Sequence, residues 1–225
     1  MAPTDTPGRR QRFGLVLIAI TVSFVVEGTL SDSGWAQGVV TALLGTTLLL
    51  TFWAADMPPH RLRVAAGVAA VVIVAGIVTV AIGDRTAEGI GRLMNAALVA
   101  FAPPMLVLGM LRSVRRHRAV TLEAVLGGLA LYVLVGMLFA FVFGAVDRLG
   151  GEPFFANGVQ ATSPRCNYFS FSTLTTVGFG DLTARSDLGR TLAVLEALVG
   201  QLYLVTVVSV GVSNLVPRAR AAGDR

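Results

Sequence analysis

Lysine is absent from this chain of 225 residues, cysteine occurs once and histidine twice. One thiol, Cys166, leaves no internal disulfide framework to hold a fold. A single Cys beside two His also leaves no set of ligands for a protein metal cage. Charge of either sign is scarce, at 14% of residues against the roughly 25% of ordinary soluble domains. A water-soluble globule does not fit that balance. Apolar residues make up 54% of the chain, and mean hydropathy is +0.73. They come in long blocks without alternation, which argues against an outer-membrane barrel. What remains is an all-α membrane protein built of helices about 20 residues long.

Six apolar stretches are present, over Phe13–Leu30, Trp35–Ala55, Leu62–Ile82, Leu93–Leu111, Ala124–Val146 and Thr191–Val216. At about 1.5 Å per residue each reaches across about 30 Å of hydrocarbon. The breaks at Ser31–Gly34, Met57–His60 and Gly83–Arg85 are short and force antiparallel neighbours. The formal charge is +5, and all 18 basic residues are arginines scattered between the apolar stretches. That scatter fits membrane topology better than a nucleic-acid face, so no nucleic-acid partner is expected. With a cytoplasmic N-terminus, twelve arginines share one side: Arg9, Arg10, Arg12, Arg61, Arg63, Arg112, Arg115, Arg116, Arg118, Arg218, Arg220 and Arg225. The other six fall opposite, which places both termini in the cytoplasm of a multi-pass plasma-membrane protein. Arg9-Arg10 ahead of an apolar run resembles a secretion signal, but no small-x-small cleavage site follows, so the run is read as a retained first helix.

Between the fifth and sixth stretches lie about 40 residues that are neither a span nor an ordinary loop. Pro164 suits the first turn of a helix, and three turns of aromatic and hydroxyl residues follow it. The run ends in Thr175-Thr176-Val177-Gly178-Phe179-Gly180-Asp181. Irregular backbone at membrane depth survives only where protein buries it or it lines a watery path. A short re-entrant helix followed by an extended, glycine-containing strand meets that condition.

Thr176-Val177-Gly178-Phe179-Gly180 resembles the selectivity filter of the potassium-channel family. Two alternating glycines permit backbone angles closed to other residues, so the carbonyls can turn toward one axis and replace the hydration shell of K+. The Thr176 hydroxyl adds a ring at the inner end. One chain supplies a quarter of each ring, so the resemblance implies a homotetramer that binds K+ at Thr176, Val177, Gly178 and Phe179. It covers Thr121–Leu215 and implies filter support from Ser172, Thr175, Asp181 and Glu196, with a gating hinge at Gly200. Gln201, Leu204 and Val208 recur at helical spacing and are candidates for the cavity lining; a lipid or packing face would show the same pattern. Phe179 stands where the family usually has Tyr, so the hydroxyl that tethers the filter is absent. Ser172 stands where a carboxylate is sometimes found.

The implied subunit has six transmembrane helices, with the re-entrant helix and filter between the fifth and sixth. It divides into a cytoplasmic tail (1–12), a four-helix membrane domain (13–111), a basic linker (112–120), a pore domain (121–216) and a second tail (217–225). Voltage sensing needs charge that moves through the field, worth about 2.3 kcal/mol per charge per 100 mV. The fourth stretch has Arg92 at its outer end and none after it to Leu111, and Pro103-Pro104 is expected to kink or break its helix. A channel that is not voltage-gated is therefore expected. Arg112, Arg115, Arg116 and Arg118 read as a positive-inside stop that contacts anionic lipid, or as a linker to the gate. No cofactor beyond the permeant K+ and no enzymatic activity are expected. The alternatives are a non-selective monovalent cation channel and a secondary transporter, for which the inverted repeats are not evident.

Overall fold

The computed structural model describes residues 12–30, 34–55, 59–82, 84–117 and 122–215. The tail 217–225, Arg118 and nearly all of the first tail lie outside them. Seven helices make up the described chain: α1 (Arg12–Thr29), α2 (Gly34–Ala54), α3 (Pro59–Ile82), α4 (Arg85–His117), α5 (Leu122–Leu149), α6 (Ser163–Leu174) and α7 (Asp187–Leu215). Among the described residues one isolated β-bridge, Phe155 to Ala184, is the extent of strand-like pairing. Four helices contain a stretch long and apolar enough to cross a membrane: Trp35–Ala54, Arg85–Leu108, Val125–Leu149 and Asp187–Val207. The described apolar stretches of α1 and α3, Phe13–Thr29 and Ala66–Gly76, are shorter.

Each helix from α1 to α5 packs on the next, as the short connections require. The contact between α4 and α5 is the most extensive in the chain. One apolar core runs through Val16 and Ile20 of α1, Leu44 and Leu48 of α2, Leu98 and Leu106 of α4, and Leu134 and Met137 of α5. Helices α1, α2, α4 and α5 thus share an interior, with the partly buried Val72 of α3 packed against it.

The fourth helix departs from its expected limits and is unbroken. It begins at Arg85, ahead of Leu93, because α5 takes up the charges of its first turns. Arg85 Nη2 donates to the Asp147 carbonyl at 2.8 Å, and Arg148 Nε lies 3.1 Å from Glu88 Oε2. Asp84 caps the start by accepting from the Ala87 N–H. The helix does not break at Pro103 and Pro104 but runs through both to His117. Two prolines remove two backbone donors. The buried Leu98, Val99, Ala102 and Leu106 hold the helix in place across that gap. Much of the expected linker is therefore the end of α4; Arg112, Arg115 and Arg116 lie on it, with side chains outside the described set.

At the C-terminal end of α5 an aromatic cluster ties loop to helix. Phe143 of α5, Phe154 and Phe155 of the loop, and Phe169 of α6 pack with Cys166 and Ala161. Their rings contact one another at 5.0–5.7 Å. Asp147 Oδ1 accepts from the Phe154 N–H at 2.9 Å, and Arg185 N–H donates to the Phe154 carbonyl at 2.8 Å. These bonds bring the chain before α6 and the chain after it to the same place.

Candidate functional site

The site is built on α6. Its 12 residues extend about 18 Å at 1.5 Å each, too short to cross hydrocarbon. Thr162 stands at the N-cap in extended conformation without a side-chain cap bond, and proline occupies the first turn. The helix ends at Thr175, whose N–H donates to the Phe171 carbonyl at 3.0 Å.

Beyond it the backbone alternates in hand. Thr176, Gly178 and Gly180 have φ of 60°, 57° and 81°, while Val177 and Phe179 between them are not in the positive-φ region. Glycine adopts those angles at little cost, but a β-branched Thr there is a genuine outlier, costing about 1–3 kcal/mol. Hydrogen bonds to the end of α6 hold the strained turn. Thr176 N–H donates to the Thr173 carbonyl at 2.9 Å, and Gly178 N–H to the Ser172 carbonyl at 3.1 Å. Phe179 N–H donates to Ser172 Oγ at 3.3 Å. In a trans peptide the carbonyl points opposite to the N–H. With those three N–H groups turned toward α6, the carbonyls of Thr175, Val177 and Gly178 turn away from it.

The side chains of this segment are bare in the single chain. Val177 is 56% and Phe179 67% exposed. Phe179 has no hydroxyl, yet its ring stacks on Tyr168 of α6, with centroids 5.7 Å apart and planes 11° from parallel. Tyr168 in turn donates its hydroxyl to Asp181 Oδ1 at 3.1 Å, and Asn157 donates its side-chain N–H to the Asp181 carbonyl at 3.5 Å. Thr175 Oγ1 donates back to the Phe171 carbonyl at 2.6 Å. Tyr168 and Asn157 carry no motif, and only the folded geometry brings them to Asp181.

Behind the segment, α6 is fastened to both neighbours. Ser170 Oγ reaches the Gly136 carbonyl of α5 at 2.7 Å and Glu196 Oε1 of α7. Glu196 is fully buried. Gly200 lies one turn further along an unbroken α7, and a Cβ there would come within 2.4 Å of the Leu174 carbonyl. The absence of a side chain is thus demanded by the close approach of α6. Tyr132 donates to that same Leu174 carbonyl at 3.2 Å, and Tyr203 donates to the Gly128 carbonyl. Glu196, Gly200 and Tyr203 form the face of α7 that meets α5 and α6. Gln201 and Leu204 are exposed, and the side chain of Val208 lies outside the described residues.

Residues 129–217 match the model of an ion-channel family. The matched stretch takes in most of α5, all of α6, the turned segment and α7, so this stretch is similar to ion channels. No curated protein and no solved structure matches the chain.

Proposed function

We propose that this chain is the subunit of a potassium-selective channel, with four copies surrounding one conducting path. The alternation of positive φ at Thr176, Gly178 and Gly180 supports this reading most directly. It accompanies carbonyls of Thr175, Val177 and Gly178 that turn away from the helix that carries them. Four such segments around an axis would give rings of oxygen in place of the water around a K+ ion, with the Thr176 hydroxyl at the inner end. The similarity of 129–217 to ion channels supports the same reading.

In this arrangement all six long helices cross the membrane, α6 and the filter re-enter between α5 and α7, and both termini face the cytoplasm. Thr175, Ser172, Asp181 and Glu196 hold the filter backbone, Gly200 allows α7 to bend, and Gln201, Leu204 and Val208 face the central cavity. The arginines from Arg112 to Arg118 contact anionic lipid. Conduction is passive and not voltage-gated, because α4 carries no ladder of charge. A second reading, a non-selective cation channel, rests on Phe179, which lacks the hydroxyl tether.

The test is the bi-ionic reversal potential, K+ against Na+, of purified protein in a planar bilayer. Strong K+ preference is the expected outcome. Gly178→Ala, which forces a Cβ onto a backbone at φ 57°, is expected to abolish that preference while the protein stays folded. Equal permeability of the two ions in the wild-type protein would select the second reading. Absence of current from verified tetramers would argue against both.

A further inference from the structure

We propose that Arg92 is the positioning residue through which the first four helices hold α6, and so the filter, in place. The role in the filter rests on the channel reading above; the tie itself does not.

Arg92 is 3% exposed and lies in α4, inside a stretch that can cross a membrane. An ionisable residue at such depth is costly and turns toward the protein interior. The path of this one leads across α5. At Gly144 of α5 a Cβ would lie 2.0 Å from Arg92 Nη1 and 2.9 Å from its Cδ, so the guanidinium crosses α5 through the notch that glycine leaves. On the far side Nη1 donates to the Ala161 carbonyl at 3.2 Å and lies 4.0 Å from Cys166 Sγ. Ala161 immediately precedes Thr162, the N-cap of α6, whose own side chain makes no capping bond. The start of α6 is thus held by an arginine from another helix. Glu27 of α1, Gln37 of α2, Asn95 of α4 and Ser163 of α6 line a pocket together with Arg92. All four elements therefore bring polar groups to this one junction.

A second contact comes from α1. Phe24 packs on Phe171 of α6 with ring centroids 4.6 Å apart, and Phe171 fills the notch at Gly136 of α5. At mid-helix, Ser170 is held by Gly136 and Glu196. A rigid helix pinned at its middle passes any displacement of its first turn to its last. The last turn carries Ser172, whose carbonyl and hydroxyl hold Gly178 and Phe179. Arg92 at one end of α6 thereby sets the position of the filter at the other.

Two readouts test this in full-length protein in liposomes. Cys166, the only cysteine, is 1% exposed, so its reaction with a maleimide reports opening at the start of α6. The K+/Na+ permeability ratio reports the filter. Arg92→Met is expected to speed labelling at least tenfold and to lower the ratio severalfold, with Arg92→Lys restoring part of both. Gly144→Ala keeps the charge but displaces the guanidinium, and is expected to act in the same direction should Arg92→Met fail to fold. Leu98→Ala, a buried α4 change away from this tie, is expected to lower the melting temperature and leave both readouts unchanged.

Faster labelling with an unchanged ratio would overturn the role in the filter, and unchanged labelling would overturn the tie. Equal loss of selectivity in Leu98→Ala would reduce Arg92 to general stability and so overturn the proposal. Faster labelling in a protein whose wild type shows no K+ preference would uphold the tie and count against the channel reading instead.

Discussion

Helices α5 and α7 flank the same short helix, yet their surroundings differ. Of the apolar stretch in α5, 56% is buried within the chain, whereas the figure for α7 is 11%. Helix α5 is enclosed by α1, α4, α6 and α7. Three of its glycines meet a different partner: Phe171 at Gly136 and Arg92 at Gly144, with Tyr203 bonded at Gly128. Helix α7 uses the face of Glu196, Gly200 and Tyr203, and leaves Val194, Leu195, Leu198, Leu202 and Val205 uncovered. The surface of α5 is thus covered over about half of its apolar stretch by its own chain, while that of α7 is left almost wholly to lipid or to further copies. Under the channel reading, this bare apolar face and the equally bare turned segment beside it are the surfaces that further copies would cover.

Substitutions on the two kinds of surface should separate them. The largest effect on the fold is expected at Gly200→Ala, where the new Cβ meets the Leu174 carbonyl. Overpacking of this kind costs about 1–3 kcal/mol, and a drop in melting temperature together with lost conduction would register it. Ser170→Ala comes next. It removes the hydroxyl shared by Gly136 and Glu196 and leaves Glu196 buried without that partner, at about 1–3 kcal/mol, readable in the same melting curve. The smallest effect on a single chain is expected at Leu198→Ala. Leu198 is 54% exposed, so intrachain stability should shift by about 0.5 kcal/mol or less. Its weight should fall instead on association, as a larger share of small species in light scattering. A large melting shift for Leu198→Ala without change in oligomer size would break the distinction between the two helices.

Much of the fold was legible because its signals are local. Apolar blocks and short breaks placed the long helices, and Pro164 marked the start of α6. The turned segment was legible because Gly178 and Gly180 are spaced as its backbone requires. What escaped notice depends on partners far along the chain. Arg92 reads as a charge at the edge of a span, and only Gly144, 52 positions away, shows that it is buried (144 − 92). Pro103-Pro104 reads as a kink or a break because proline rules are local, whereas packing against α5 keeps the helix unbroken through it. Gly200 reads as a place to bend, yet its closest constraint is a carbonyl of another helix. Thr176 gives no hint in sequence that it will adopt φ 60°, since nothing about a threonine announces strain imposed by neighbours.

Because α1 and α4 lie on α5 and α6 of their own chain, each copy can close its interior before it meets another. If copies assemble as proposed, they meet as finished subunits, and exchange trades whole subunits without swapping a helix bundle. Under the channel reading, a cell making equal amounts of the wild-type chain and one carrying Gly178→Ala would distribute them at random. If four subunits surround one path, about one assembly in sixteen would be free of the defective copy, so such an allele would act as a dominant one.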